Sequence, residues 1–174
     1  MREANAEEEM AGMTWHQRID RFYEQDFDDD DPHGSITRMR DLLSDRPEGD
    51  AEALFELAGV HDALGLEDEA IPLYRRAIGA GLEGTSGSRA SIQLASNLRN
   101  VGESAEAVSL LESMRDAGID EGARQAFRAS ALHDEGRHGD ALRTALLALI
   151  PTLEGYQRSL SAYAAELPST VTKP

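Results

Sequence analysis

Three glycines set the register of this chain. Gly65, Gly102 and Gly136 are each preceded at seven residues by an alanine (Ala58, Ala95, Ala129) and followed at five by another (Ala70, Ala107, Ala141). An acid, Glu69, Glu106 or Asp140, stands before each downstream alanine, and a branched aliphatic residue, Ile71, Val108 or Leu142, stands after it. Twelve residues after each glycine come Ala77, Met114 and Ala148, and the glycines lie 37 and then 34 residues apart. Such a period constrains the fold strongly, because each unit buries its apolar face only against its neighbours. A glycine between two helix-forming runs turns the chain sharply, and small residues on either side let two antiparallel helices approach closely. Each unit is therefore expected to be a helical hairpin. Ala80-Gly81-Leu82-Glu83 recurs as Ala117-Gly118-Ile119-Asp120, 37 residues on. In both, the glycine suits the left-handed position after a helix, and the next apolar residue can fold back onto the last turn.

The pattern resembles the tetratricopeptide repeat, a hairpin of about 34 residues. The fullest copy runs from about Ala51 to Gly81, where Leu54, Leu57, Ala58, Gly65, Ala70, Tyr74 and Ala77 fall on the family's signature positions. His61 replaces the usual tyrosine, Leu82 stands where proline is common, and Gln125 and Arg128 occupy normally apolar positions in the third copy. Upstream, Thr14 and Gln17 form a capping-box start. A helix follows through Trp15, Ile19, Phe22 and Tyr23, and Ile36, Met39, Leu42 and Leu43 read as its partner, stopped by Pro47. After Pro151, one face carrying Leu153, Tyr156, Leu160, Tyr163 and Leu167 predicts a helix that covers the open end of the stack.

The expected fold is all-α: a short right-handed solenoid of antiparallel hairpins over about 14–46, 50–81, 87–118 and 121–150, with a capping helix over 152–167. The acidic start, 1–13, is expected to be flexible and the tail, 168–174, disordered. The resemblance covers about 15–167. At a closer level the chain resembles small bacterial tetratricopeptide proteins that open with a tryptophan-containing helix and an Asp-rich turn, a likeness that brings no mechanism with it.

Composition narrows the function. Over 174 residues, 17 Lys and Arg oppose 33 Asp and Glu, a formal charge of −16 that repels phosphate backbones and anionic membranes. Nucleic acid and membrane are therefore not expected partners. With no cysteine, disulfides, thiolate metal sites and a cysteine nucleophile are absent together. Met1 to Gly12 has neither the basic start nor the apolar stretch of a secretory signal, so a cytoplasmic location is expected. Lys173 is the one lysine; the reliance on arginine points to a GC-rich bacterial genome.

No motif predicts catalysis, and no cofactor is expected. Gly79-Ala80-Gly81-Leu82-Glu83-Gly84 matches the dinucleotide fingerprint in letters but follows a predicted helix, not a strand. Ser86, in Gly84-Thr85-Ser86-Gly87, lacks the spacing of a nucleophile elbow and reads as loop. The run Asp26, Asp28, Asp29, Asp30, Asp31 is the one place for a hard cation and a metal-dependent enzyme, but an EF-hand begun at Asp29 puts Arg40 at its twelfth position. A solvated turn before a helix is the simpler expectation. His61 occupies a hairpin-packing position, and His133 and His138, five apart, do not share a helical face as i, i+4 ligands do.

The remaining candidate is the groove. In the resembled family the first helix of each hairpin lines a concave surface, and the matching inner positions are Glu52, Phe55 and Asp62, then Arg89, Ile92, Ser96, Arg99 and Asn100, then Ala126, Ser130 and His133. Relatives that clamp the C-terminal carboxylate of chaperones use a lysine and an asparagine where this chain has Phe55 and Gly59, so that specialised function is not implied. Phe55 and Ile92 are suited to an apolar side chain, and Arg89 with Arg99 to a carboxylate. The expected function is a protein-interaction module that holds a peptide or helix of an unnamed partner in this groove. The alternative is a self-associating, homodimeric structural protein.

Overall fold

The computed structural model describes residues 12–114 and 120–169 of the chain. The expected turn at Ala117, Gly118 and Ile119, the acidic start up to Ala11 and the tail from Thr170 lie outside them. The described residues contain helices and turns and no strand: α1 (Trp15–Arg21) running into a π-helical turn (Phe22–Asp26), α2 (Pro32–Leu43), α3 (Ala51–Ala63), α4 (Glu67–Gly79), α5 (Gly84–Asn100), α6 (Ser104–Ser113), α7 (Glu121–Asp134), α8 (His138–Leu149) with a 3₁₀ turn (Ile150–Thr152), and α9 (Gln157–Glu166). Each packs on its neighbour in sequence from α2 onward, and α3 also touches α5 as α5 touches α7, so the first helices of successive hairpins lie side by side. No described helix is long and apolar enough to cross a membrane.

The three ruler glycines perform one and the same turn. Gly65, Gly102 and Gly136 take φ values of +67°, +89° and +74°. After each, the next backbone N–H reaches five residues back, from Leu66 to His61, Glu103 to Leu98 and Arg137 to Leu132, at 2.8–2.9 Å. That is the Schellman closure, which satisfies carbonyls a helix end would leave bare. Gly81 ends α4 the same way, with Leu82 N–H donating to Ala77 O at 3.2 Å. Helix starts are capped by acids: Asp31, Asp50 and Asp120 accept from Gly34, Ala53 and Ala123 at 3.0, 2.9 and 2.9 Å. The Thr14–Gln17 capping box at α1 is present in both directions.

Two clusters make the core. The larger runs through α3 to α8 and contains the fully buried Ala58, Ala70, Ala77 and Ala107, whose small size sets the close helix approach. The smaller joins Ile19, Phe22 and Met39 to Val60, so the N-terminal helices dock on α3. In the weakest copy, Gln125 and Arg128 are half-buried, and Arg128 is answered by Glu112 of α6 at 2.5 Å.

At the C-terminal end the packing differs from the expected five-residue face. Ala164 is buried and Leu160 and Leu167 half-buried, while Tyr156 and Tyr163 stay exposed. Tyr156 sits at the N-cap of α9 in the left-handed region, φ 64°, and so leaves the helical face. Arg143 of α8 holds the other end of α9, donating to Ala164 O at 3.0 Å and to Leu167 O. Gly139 lets the chain pass there, since a Cβ would meet Pro168 O at 1.9 Å.

Candidate functional site

α1, α3 and α5 enclose a hollow of about 500 Å³ on the inner side of the stack. The α3 face supplies Glu52, Phe55, Glu56 and Asp62, one helical stripe at spacings of three, four and seven. α5 adds Arg89 and Gln93, and α1 with its π turn adds the far wall, Trp15, His16, Asp20 and Tyr23. Phe55 is buried against Tyr74, ring centroids 6.1 Å apart, and forms the floor. The Arg89 guanidinium lies over that ring, 5.9 Å from its centroid. Gly59 opens the middle of the wall: a Cβ there would stand 2.8 Å from the Tyr23 hydroxyl, which reaches Glu56 O at 3.5 Å.

The electrostatics are those of an acidic cavity. Burial pushes the Glu56 carboxyl up to about 7; the Arg89 charge opposes that, and Asp20 and Glu52 reinforce it. Burial also raises Asp62, against the pull of hydrogen bonds from Asn97 and Tyr74. Glu52 is answered by Arg46 at 3.3 Å, and that arginine lies 4.9 Å from the Trp15 ring centroid. Asp20 and Glu56 carry no ion pair among the described residues.

The other expected groove residues fall elsewhere. Arg89 and Gln93 also border a second hollow of about 470 Å³, whose walls include Ser88, Ile92, Ala123 and Phe127. Arg99 does not join Arg89: it pairs with Asp134 of α7 at 2.5 Å and lines a third hollow with Ala126, Ser130 and His133. Asn100 turns to Glu67 at the start of α4, 3.2 Å away, and Ser96 is half-buried outside these three hollows. The two arginines therefore stand in different chemical settings and do not form one carboxylate clamp. Asp20, Tyr23, Glu56, Gln93 and Phe127 were not among the expected residues. For Glu56 and Gln93 a signal was present, since each lies four residues beyond an inner position, Glu52 and Arg89, on its own helix.

Two smaller expectations are corrected by geometry. Ser86 lies in the first turn of α5, which begins at Gly84, three residues before the expected boundary, so it belongs to a helix. His133 and His138 do meet, with ring centroids 4.7 Å apart, because they sit on two helices across the Gly136 turn. The Asp run forms the exposed turn expected before a helix: Asp28, Asp29 and Asp30 lie close together at the surface, Asp28 accepts from Asp30 N–H at 3.0 Å, and Asp31 caps α2. As expected, His61 is a core histidine, 4% exposed with Nδ1 2.7 Å from Leu57 O.

A family model described as tetratrico peptide repeat matches residues 51–167. No curated protein and no solved structure matches the chain.

Proposed function

Because the chain belongs to the tetratricopeptide repeat family, we propose that it is a protein-interaction module that seats a segment of a partner polypeptide along α1, α3, α5 and α7. The hollow over Phe55 carries this proposal. It combines an apolar floor, a polar rim and a volume of about 500 Å³, the features of a site that fixes a side chain by shape and orients it by charge. A helical repeat creates such a surface because every hairpin adds one inner helix to a continuous concave face. Members of the family are typically non-catalytic scaffolds, so binding, not turnover, is the activity to seek. Glu52, Phe55, Asp62, Arg89 and Ile92 are the proposed first contacts, with Arg99, Ser130 and His133 further along the same face.

Photo-cross-linking tests this in an extract of the cells that make the protein. Benzoylphenylalanine at Ser86, on the rim of the hollow, should trap a discrete polypeptide, and at Arg76, exposed on α4, should trap none. Adducts from Arg76 with none from Ser86 would move the partner to the outer helices.

A further inference from the structure

Resting on the groove as the docking site, we propose that its first hollow takes a cationic side chain, a lysine or arginine of the partner segment, and that the second takes an adjacent apolar residue.

The first hollow has four carboxylates, Asp20, Glu52, Glu56 and Asp62, against one guanidinium, Arg89, which is engaged with the Phe55 ring. Two of the four are committed: Glu52 to Arg46, Asp62 to Tyr74. Asp20 and Glu56 form no ion pair among the described residues; the Arg89 charge reaches Glu56 without pairing with it. Carboxylates crowded together and partly desolvated are stabilised by an entering cation more than by any neutral guest. The walls suit the rest of such a side chain, because the exposed Tyr23 ring offers aromatic surface for an aliphatic stem and a π face for its charge. A carboxylate-bearing guest would meet the opposite field.

An independent observation comes from the second hollow. Ser88, on its wall, is 2% exposed and its hydroxyl has no hydrogen-bond partner among the described residues; the side-chain amide oxygen Oε1 of Gln93 is buried in the same condition. Buried polar groups are normally paired, and a groove that holds two unpaired ones beside Ile92 and Phe127 is built for a guest with both backbone polarity and an apolar side chain. Since Arg89 and Gln93 border both hollows, one extended segment can fill them in succession. The overall charge of −16 favours the approach of such a basic segment.

The test uses the full chain as bait for a phage-displayed random dodecapeptide library, with selected peptides resynthesised carrying fluorescein and a photo-reactive group. Expected are peptides with a lysine or arginine beside a large apolar residue, cross-linked to α3 or α5. Replacing that basic residue by glutamine should weaken binding at least tenfold, as should the double variant Asp20→Asn, Glu56→Gln, whose folding is checked by its melting temperature. Acidic peptides that cross-link to α3 or α5 and depend on Arg89 would overturn the cation preference while leaving the groove in place. Cross-links confined to other helices, or no selected peptide, would overturn the groove with it. Basic peptides bound equally by the double variant would overturn the assignment to this hollow.

Discussion

The Tyr74 hydroxyl of α4 donates to Asp62 Oδ2 of α3 at 3.0 Å, in a hairpin where Tyr74 is fully buried. Asn97 of α5 also draws the Asp62 carboxyl down against the effect of burial, so side chains of three helices meet beneath the groove. Tyr74→Phe keeps the ring contact with Phe55 and deletes only the donor. It should cost about 1–3 kcal/mol, because a half-buried carboxylate loses a partner it cannot fully replace. Urea denaturation with an unchanged m-value would read this directly; a neutral variant would mean that Asn97 and solvent suffice for Asp62.

Stability should depend on pH through Glu56. Its carboxyl titrates near 4.5 in the unfolded chain and is raised to about 7 in the fold, so the folded state favours the protonated form. The stabilisation is complete below pH 4.5 and is lost as pH rises through about 7. Glu121 acts in the opposite sense, held down to about 2 by Arg124 and Gln125, and its smaller, solvent-screened contribution disappears in acid. The melting temperature should therefore fall between pH 5 and pH 7.5, and Glu56→Gln should flatten that slope. Calorimetry at the two pH values checks it, and an equal slope in the variant would place the titration on another group. Asp20, Tyr23, Glu52, Asp62, Arg89 and His16 border the same hollow as Glu56, so a cation bound among them should bind more tightly as pH rises from about 6 to 8.

The hairpin register rests on alanines. Ala70 and Ala107 are both fully buried at matching positions of α4 and α6. Replacing either with leucine forces extra volume into a close helix contact and should cost about 1–3 kcal/mol. Thermal melts of the two variants test this; neutrality of both would contradict the packing of the repeat.

The C-terminal helix should be held chiefly by one arginine. Arg143→Ala removes the donors to Ala164 O and Leu167 O, leaving α9 with Leu160, Ala164 and Leu167 as its packing face. Hydrogen exchange in α9 should then accelerate while amides of α3 to α6 keep their protection. Unchanged exchange in α9 would show that apolar packing alone retains it.

The repeat was legible because the glycine turn and the small-residue contacts are local and recur, so spacing alone placed Gly65, Gly102 and Gly136 at equivalent turns. Half of the hollow was legible for the same reason: Glu52, Phe55, Asp62 and Arg89 lie on inner stripes of regular helices. Its other wall was not, because Trp15, Asp20 and Tyr23 belong to an N-terminal segment without the glycine ruler, where a π turn re-aims Tyr23 toward Gly59. Arg99 shows the other limit. Periodicity placed it on α5, but only the tertiary arrangement brings Asp134, 35 residues on, to neutralise it. Tyr156 and Tyr163 matched the apolar stripe in letters, yet the left-handed N-cap and the Arg143 contacts turn a different face of α9 to the core.

The direct measurement for the groove is a backbone-amide NMR titration of the full chain with the partner segment trapped at Ser86. Shifts are expected along the inner faces of α3 and α5, from Glu52 to Asp62 and from Arg89 to Gln93, together with the Trp15 indole, while α4, α6 and α8 stay unmoved. Shifts confined to those outer helices, or to the exposed Leu147, Tyr156 and Tyr163 at the far end, would contradict it.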